Sequence, residues 1–250
     1  MQEPIPGTAA LAKGFMVLRA VSDQAKPSTL AELQKITGLP KGTLHRILQA
    51  LTAEGVIRQD SDHKTFQLGF GLLRLAGKVL DDLELRDIAR DILTELRDET
   101  GEAVHLAVPE ARAVVYVEIL DSGRPIGAVG KIGSSSPYHC ASAGKAIAAF
   151  DPTLASQVLS WDLPELTPGT ITSPDVLAAE FAKVRQQGFA TNFEEEFPEV
   201  HGVAAPVLDR RSKPVASVSI TIPSYRFEQD KLPELSRAVR AAANAIGNRL

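Results

Sequence analysis

Apolar residues recur at helical spacing near the start of the chain. Residues 8–23 carry four of them at intervals of three or four positions, which predicts one amphipathic helix. These residues are Leu11, Phe15, Leu18 and Val21. The stretch KPST interrupts the pattern, and its Ser28 or Thr29 is a typical capping residue for the next helix.

Two shorter helices follow, joined by the turn LPKG. The first ends at Gly38, and the second extends from about Thr43 to Glu54. Their predicted inner faces are Leu30, Leu33 and Ile36 in the first helix and Leu44, Ile47, Leu48 and Leu51 in the second. The segment VIRQDSDHKTFQLG is then typical of two short strands around an Asp-Ser-Asp turn. A helix pair followed by a hairpin predicts a winged helix-turn-helix.

The periodicity changes from helix to strand after residue 101. GLLRLAGKVL and LELRDIARDILTELRDETG are helical in pattern, whereas AVHLAV, AVVYVEIL and IGAVGKIG are typical of strands. ASAGKAIAAF and a segment that begins at Ser173-Pro174 predict helices, and GVAAPVLD and VASVSITIP predict strands before a closing helix. We therefore predict an α+β fold: a winged helix-turn-helix over 8–68, a linker helix over 69–85, and a C-terminal domain with a mainly antiparallel sheet over 86–250.

Charge is distributed unevenly between these parts. Residues 8–74 contain nine Lys or Arg and five Asp or Glu, a net charge of +4, although the whole chain has a net charge of −4. The remainder has 18 basic and 26 acidic residues, a net charge of −8. The local field of the N-terminal part therefore favours a polyanionic partner, whatever the pI of the whole chain.

The first turns of the second helix carry polar and cationic residues opposite its leucines. In a helix-turn-helix this helix enters the major groove, where an arginine such as Arg46 is able to bond guanine with two hydrogen bonds. The predicted DNA-binding set is Thr29, Lys41, Thr43, His45 and Arg46, with Arg58 and Lys64 of the hairpin on the DNA backbone. The alternative is a helical hairpin with a solvated polar face.

The composition excludes several other classes of protein. One cysteine, Cys140, excludes an intramolecular disulfide and a cysteine-based zinc cluster. No apolar run approaches the ~20 residues that span a bilayer, and the first residues lack the pattern of a secretory signal. We expect a cytoplasmic protein that has no membrane partner.

An enzyme is the main competing interpretation, and the motifs disfavour it. ASAGKA resembles part of a phosphate-binding loop, but the pattern G-x-x-x-x-G-K-[ST] fails at His139 and Ala146. The chain has no G-x-S-x-G motif, and its five histidines never pair at a spacing such as H-E-x-x-H. The acidic run 194–196 is more typical of a solvated loop than of an acid/base pair. We expect no catalytic residues, no cofactor and no metal.

Several separate motifs, in the same order, resemble the isocitrate lyase regulator (IclR) family of bacterial transcription factors, from about Thr8 to Asn244. In the N-terminal part they are LAELQKITGLPKGTLHRILQALTAEGVIRQD and FQLGFGLLRLAG. In the C-terminal part they are LRDETGEAVHLAV, HCASAGKAIAAF, LTPGTITSPDVLAAEFAKVRQQGFATNFEEE and GVAAPVLDRRSKPVASVSI.

The resemblance implies a winged-helix DNA-binding domain, a linker helix and a GAF-like effector domain that binds a small organic or aromatic acid. It also implies a homodimer, or a homotetramer built from two dimers, with effector binding and oligomerisation both assigned to the C-terminal domain over 86–250. The implied function is sequence-specific regulation of catabolic genes, in which the effector modulates binding to a double-stranded DNA operator. A GAF-like sensor or enzyme without specific DNA binding is the alternative.

The resemblance also implies where the effector binds, under the helix of the HCASAGKA motif. The matching positions are Ser142, Ala143, Asn192, Gly202, Ser219 and Thr221. Ser142 and Ala143 would offer backbone N–H groups at a helix N-terminus, which suits a carboxylate. Ser219 and Thr221 are two apart on one strand and so share a face, although such residues are also common on a sheet surface. Asn192 has a turn-capping role as its alternative.

Two positions depart from the family pattern. The family usually has an acidic residue at the position of Asn192, which puts an acidic contact to the effector in doubt. It often has arginine followed by cysteine, or by a small polar residue, where this chain has His201 and Gly202. Because Gly202 has no side chain, we expect a roomier pocket that admits an aromatic acid rather than only two- or three-carbon acids.

Overall fold

A computed structural model describes residues 7–60, 62–81, 84–124 and 130–250. The chain forms two compact units that divide after residue 82. The N-terminal unit contains α1 (Ala9–Ser22), β1 (Ser28–Thr29), α2 (Leu30–Thr37), α3 (Lys41–Ala53), β2 (Ile57–Gln59), β3 (Thr65–Leu68) and α4 (Gly71–Asp81). The C-terminal unit contains α5 (Glu84–Thr100), β4 (Ala103–Pro109), β5 (Ala113–Leu120), β6 (Ser135–Pro137), α6 (Ser142–Phe150), α7 (Pro152–Leu159), α8 (Pro174–Gln187), β7 (Ala190–Phe193), β8 (Val200–Leu208), β9 (Pro214–Pro223) and α9 (Leu232–Gly247).

The N-terminal unit is the predicted winged helix-turn-helix. Helix α2 ends at Gly38, whose left-handed conformation (φ +65°) suits glycine, and α3 begins three residues later. The three strands form an antiparallel sheet in the order β1-β3-β2. Leu33, Leu44 and Leu48 are fully buried in one core, which joins the helix pair to the first helix and the hairpin.

The apolar pattern of α1 and the predicted inner face of α2 include residues that are exposed. Leu11 and Phe15 are 62% and 51% exposed, and Ile36 is 49% exposed. The buried residues of α1 are Val17, Ala20 and Val21, of which Val21 belongs to the predicted apolar pattern. Helical spacing identifies the residues that share a face of α1. Within the unit, α2 and α3 cover only the C-terminal end of that face.

The C-terminal unit is built on one antiparallel sheet of six strands in the order β6-β5-β4-β9-β8-β7. One face packs on α5 and α9, and its buried residues include Leu106, Val203 and Val218. The other face packs on α6 through smaller residues such as Ala107 and Ala204, and α8 packs on α6. The alternation of residues along each strand therefore divides the sheet into a bulky apolar face and a face of small or polar residues.

Two details of the C-terminal unit differ from the sequence-based predictions. The third strand is Ser135–Pro137, and residues 130–133 of the predicted strand IGAVGKIG are not in a strand, while 126–129 lie outside the described residues. The apolar residues of that segment alternate, which is why a strand was predicted there. The strand that pairs with β5 begins only at Ser135. The acidic run is not a solvated loop, because Glu195 and Glu196 are both buried.

Candidate functional site

The exposed face of α3 is the first candidate site. Lys41, His45 and Arg46 are exposed, and Thr43 is half-buried, while Leu44 points into the core. Lys41 and His45 are one turn apart, so their side chains lie on the same side of the helix. No side chain caps the N-terminus of α3. Its first N–H groups and its cationic side chains therefore face solvent together, an arrangement that suits a phosphate or the edge of a base pair.

The hairpin that follows α3 along the chain carries two further cationic residues. Arg58 on β2 and Lys64 in the hairpin turn are both exposed. The Arg58 guanidinium lies over the ring of Phe70, 4.8 Å from its centroid, which holds the arginine on the strand. Asp60 fixes the turn, because its Oδ1 accepts hydrogen bonds from the N–H groups of Asp62 and His63. These N–H groups lower the pKa of Asp60.

Thr29 has a structural partner. Its backbone N–H and its hydroxyl donate to Glu32 Oε2 at 2.7 and 2.8 Å, and Glu32 N–H donates to Thr29 Oγ1 at 3.3 Å. This capping box explains the start of α2. The same hydrogen bonds lower the pKa of Glu32. A DNA contact by Thr29 stays a prediction, which must coexist with this capping role.

The second candidate site is a cavity of about 560 Å³ on the small-residue face of the six-stranded sheet. Every strand of that sheet contributes to its lining. The contributing residues are Ser136 from β6, Tyr116 from β5, His105 from β4, Ser219 and Thr221 from β9, Gly202 from β8 and Asn192 from β7. Asn192, Gly202 and Thr221 are consecutive partners across three strands. Five of the six predicted effector positions thus line one cavity; Ala143 is buried in α6 and is not among the lining residues.

The N-terminus of α6 borders this cavity through Ala141 and Ser142. No side chain caps the helix there. The close approach of Ser142 also explains Gly202, because a Cβ added to Gly202 would lie 2.6 Å from Ser142 Oγ. The space that Gly202 leaves is therefore occupied by Ser142, so the glycine brings α6 close to β8 rather than enlarging the cavity.

Asn192 holds the loop that follows β7. Its Oδ1 accepts a hydrogen bond from Glu195 N–H at 2.7 Å. Glu195 in turn receives two hydrogen bonds from Lys145 Nζ on α6, at 2.6 and 2.7 Å, and Glu180 Oε1 on α8 lies 3.7 Å from the same Nζ. Lys145 has no exposed surface. This buried cluster ties the loop to the helix whose first turn borders the cavity.

The polar residues on the other side of the cavity were not predicted from the sequence. Burial lowers the pKa of His105 to about 4, so its ring is neutral at pH 7. Burial raises the pKa of Tyr116 to about 12. Burial also raises the pKa of Glu196, against the effect of a hydrogen bond with Ser136. In the described chain, no ion-pair partner lies within 4.0 Å of the Glu196 carboxyl group.

A signal for two of these residues was present in the strand pattern. His105 interrupts the apolar run AVHLAV, and Tyr116 is the aromatic residue of AVVYVEIL. Their rings contact each other edge to face, with centroids 5.2 Å apart. Strand alternation places His105 on the same face as Ala107, which packs against α6, but nothing local shows that a cavity lies there.

Neither a metal site nor a membrane span is found in the described part of the chain. Across residues 7–60, 62–81, 84–124 and 130–250, no group of three or more His, Cys, Asp or Glu side chains is placed to hold a metal ion. No helix within those ranges is long and apolar enough to cross a bilayer. Cys140 is fully buried, and burial raises the pKa of its thiol.

Comparison with known proteins places both units in one group. The family model for the IclR helix-turn-helix domain matches residues 10–61, and the model for the C-terminal part of the bacterial transcriptional regulator IclR matches residues 77–248. A glycerol operon regulatory protein from Streptomyces coelicolor is 34% identical over 243 residues, which is 96% of each chain.

Two solved structures are similar over 96% of this chain. The crystal structure of the Thermotoga maritima IclR is 28% identical, with a TM-score of 0.76, and covers 96% of this chain and 98% of its own. An IclR homologue from Microbacterium hydrocarbonoxydans, in complex with 4-hydroxybenzoate, is 25% identical with a TM-score of 0.80, covering 96% and 98%.

Proposed function

Because this chain belongs to the IclR family of transcriptional regulators, we propose that a small organic or aromatic acid in the cavity controls its binding to a double-stranded operator. The family assignment makes it a regulator with a DNA-binding helix-turn-helix and an effector domain, not an enzyme. The observation that carries the proposal is the uncapped N-terminus of α6 at a cavity with a polar floor. The genes regulated are proposed to be catabolic, and the relative named above is a regulatory protein of a glycerol operon.

The lining of the cavity favours recognition of the acid by hydrogen bonds rather than by an ion pair. Lys131 is the one lysine or arginine among the described lining residues, and its side chain is exposed. The first N–H groups of a helix have no intrahelical acceptor, and the helix dipole favours an anion there. Ser142, Ser219 and Thr221 add hydroxyl donors around the same space.

Glu196 fits this proposal only as a neutral carboxyl group. Two carboxylates in one cavity repel each other. Because burial raises its pKa, Glu196 is more readily protonated than a solvated glutamate and then donates a hydrogen bond. The neutral group adds a donor to a site that receives an anion.

The size of the cavity favours an aromatic acid. About 560 Å³ is within the range of roughly 300–1,000 Å³ for sites that enclose drug-sized ligands, and a two-carbon acid would leave most of it unfilled. The relative crystallised with 4-hydroxybenzoate supports the same class of ligand. Calorimetry with a panel from glyoxylate to benzoate derivatives tests this point, and tight binding confined to glyoxylate and pyruvate contradicts it.

Replacing Ser142 by proline should weaken acid binding by about 1.5–3 kcal/mol, because it removes an N–H donor to a charged acceptor. Proline is compatible with the first position of a helix, and Ala141 already has the extended conformation (φ −78°, ψ 135°) that proline requires before it. Ser142→Ala is the matched control, since it removes the hydroxyl and keeps the N–H. Titration calorimetry that finds both variants equally impaired would argue against the helix N-terminus as the carboxylate site.

Arg46→Ala should cost about 1–3 kcal/mol on the operator and little on random duplex DNA if Arg46 contacts a base. The DNA upstream of the chain's own gene is the first fragment to use in gel-shift titrations. Lys64→Ala, in the hairpin turn, should weaken binding to both DNAs about equally. It should also reduce the slope of log K against log salt concentration by about 1. Unchanged discrimination by the Arg46 variant contradicts its base-reading role.

The N-terminal unit exposes two sets of apolar side chains that we assign to a homodimer. They are Leu11, Phe15 and Met16 on α1, and Phe70, Leu73 and Leu75 at α4. Monomeric proteins seldom expose so many large apolar groups in one small unit, and a dimer places two helix-turn-helix motifs on two half-sites. The sets are proposed to be covered by a second copy.

Leu73→Glu should therefore shift the protein to a single-chain mass near 26.8 kDa in sedimentation experiments. Val176→Glu is the matched control, because Val176 is a similarly exposed apolar residue on α8 of the other unit. A wild-type protein that sediments as one chain, at concentrations that bind DNA, contradicts the dimer.

Acid binding is proposed to act on DNA affinity through population shift. An effector changes the operator affinity only by as much as its own affinity differs between the arrangements that fit and misfit the DNA. The alternative, a sensor without specific DNA binding, predicts that no promoter fragment is preferred over random duplex, with or without acid.

A further inference from the structure

Two residues that line the cavity each have a buried ring nitrogen with no hydrogen-bond partner in the described chain, Nε2 of His105 and Nδ1 of His201. His105 Nε2 is inaccessible to solvent and makes no hydrogen bond to a described residue. The other ring nitrogen, Nδ1, lies 3.3 Å from Thr221 Oγ1. An unpaired buried polar group destabilises a protein, so one that lines a cavity is a candidate contact for a ligand.

The surroundings hold this ring in a fixed position. Its edge-to-face contact with Tyr116 fixes one side, and Thr221 fixes Nδ1. On the Nε2 side, Gly130 lies next to the ring, because a Cβ added to Gly130 would be 3.5 Å from Nε2, an ordinary contact distance. Tyr116, Thr221 and Gly130 all line the cavity together with His105.

His105 lies across the sheet from the proposed carboxylate site. Ser142 packs on Gly202 of β8, and His105 is on β4, with β9 between them. Adjacent strands are about 4.8 Å apart, so the two positions are separated by about 10 Å across the strands. A ligand with its carboxylate at α6 reaches His105 only with a group at its far end.

We infer that His105 is a specificity-determining residue, whose Nε2 hydrogen-bonds a second polar group at the end of the acid remote from its carboxylate. The inference rests on the proposed acid-binding function of the cavity. In a neutral imidazole, Nε2 donates when Nδ1 accepts from the Thr221 hydroxyl and accepts when Nδ1 donates to it. A hydroxyl group of the ligand suits either tautomer, because it both donates and accepts. Sites built to hydrogen-bond a ligand hydroxyl reject the analogue that lacks it, because the protein group is then left unpaired.

Matched ligand pairs test the inference. Calorimetry compares benzoate with 4-hydroxybenzoate, and hexanoate with 6-hydroxyhexanoate, on the full-length protein. We expect the hydroxylated member of at least one pair to bind roughly tenfold more tightly. His105→Asn keeps a polar atom near Thr221 but does not reach the position of Nε2, so this preference should fall to about twofold. His105→Gln extends a polar group further and should retain part of it.

A measurement on the wild-type protein tests the inference without a variant, so misfolding of a variant does not affect it. With ¹⁵N-labelled histidine, the Nε2 resonance of His105 should shift on addition of the hydroxylated acid and much less with its unsubstituted partner. If acids bind but hydroxylated and plain members are equivalent, the role of His105 is overturned while the proposed function stands. If no acid binds, the proposed function fails, and the role of His105 with it.

Discussion

Replacing Lys145 by alanine should destabilise the C-terminal unit by about 3–5 kcal/mol, the usual cost of removing one partner of a buried ion pair. Lys145 has no exposed surface, and its Nζ makes two hydrogen bonds to Glu195. Without the lysine, the Glu195 carboxylate remains in a buried site where desolvation already raises its pKa. Urea unfolding followed by the fluorescence of Trp161, the one tryptophan of the chain, reports on this unit.

Lys183→Ala is the matched control for this prediction. Lys183 pairs with Glu180 at 3.6 Å, as Lys145 does at 3.7 Å, but its side chain is 60% exposed. Exposed pairs of this kind contribute about 0–1 kcal/mol, so the control should unfold close to the wild type. Lys145→Met combined with Glu195→Gln should recover part of the loss, because it removes both charges. Equal stability of the two lysine variants would falsify the role assigned to the buried cluster.

The stability of the same unit should fall by about 3 kcal/mol as the pH falls from about 6.5 to about 4, through His105 alone. Burial holds the pKa of this histidine near 4 in the folded chain, below its ordinary value of 6.5. Between these two values the unfolded chain binds a proton at His105 and the folded chain does not. Acid therefore favours unfolding in that range, and the pH dependence from His105 disappears above pH 6.5.

Comparison with a variant isolates this contribution. His105→Asn removes the titrating ring, so the difference in unfolding free energy between it and the wild type should change with pH between 6.5 and 4. His63→Gln serves as the control, because His63 is exposed and lies in the other unit. This control should leave the pH dependence of the unfolding free energy, followed by Trp161 fluorescence, unchanged. A constant difference between wild type and His105→Asn across this range contradicts a buried neutral imidazole.

The helices and strands were largely predictable because they depend on neighbours close in sequence. Leucines at helical spacing and a glycine stop define α2 and α3, and the polar exposed face of α3 follows from the same spacing. Alternation along β9 correctly placed Ser219 and Thr221 on one face. The family resemblance supplied Asn192 and Gly202, which no local pattern distinguishes from a turn residue or a sheet glycine.

Sequence patterns do not predict the burial of a residue when its burial depends on residues distant in sequence. Leu11 and Ile36 have the spacing of inner residues, yet within their own unit nothing covers them. Glu195 and Glu196 looked solvated, because acidic residues are rarely buried. A lysine 50 positions away and a cavity wall bury them instead.

Local sequence, through contacts within about four residues, was enough to establish the winged helix-turn-helix, its cationic α3 and the antiparallel sheet. The cavity depended on the order in which the strands pair. That order brings His105 beside Ser219 and places Gly202 against Ser142, across roughly a hundred and roughly sixty positions of chain. Strand order is set by the packing of whole faces, which is a property of the folded chain and leaves no trace at any single residue.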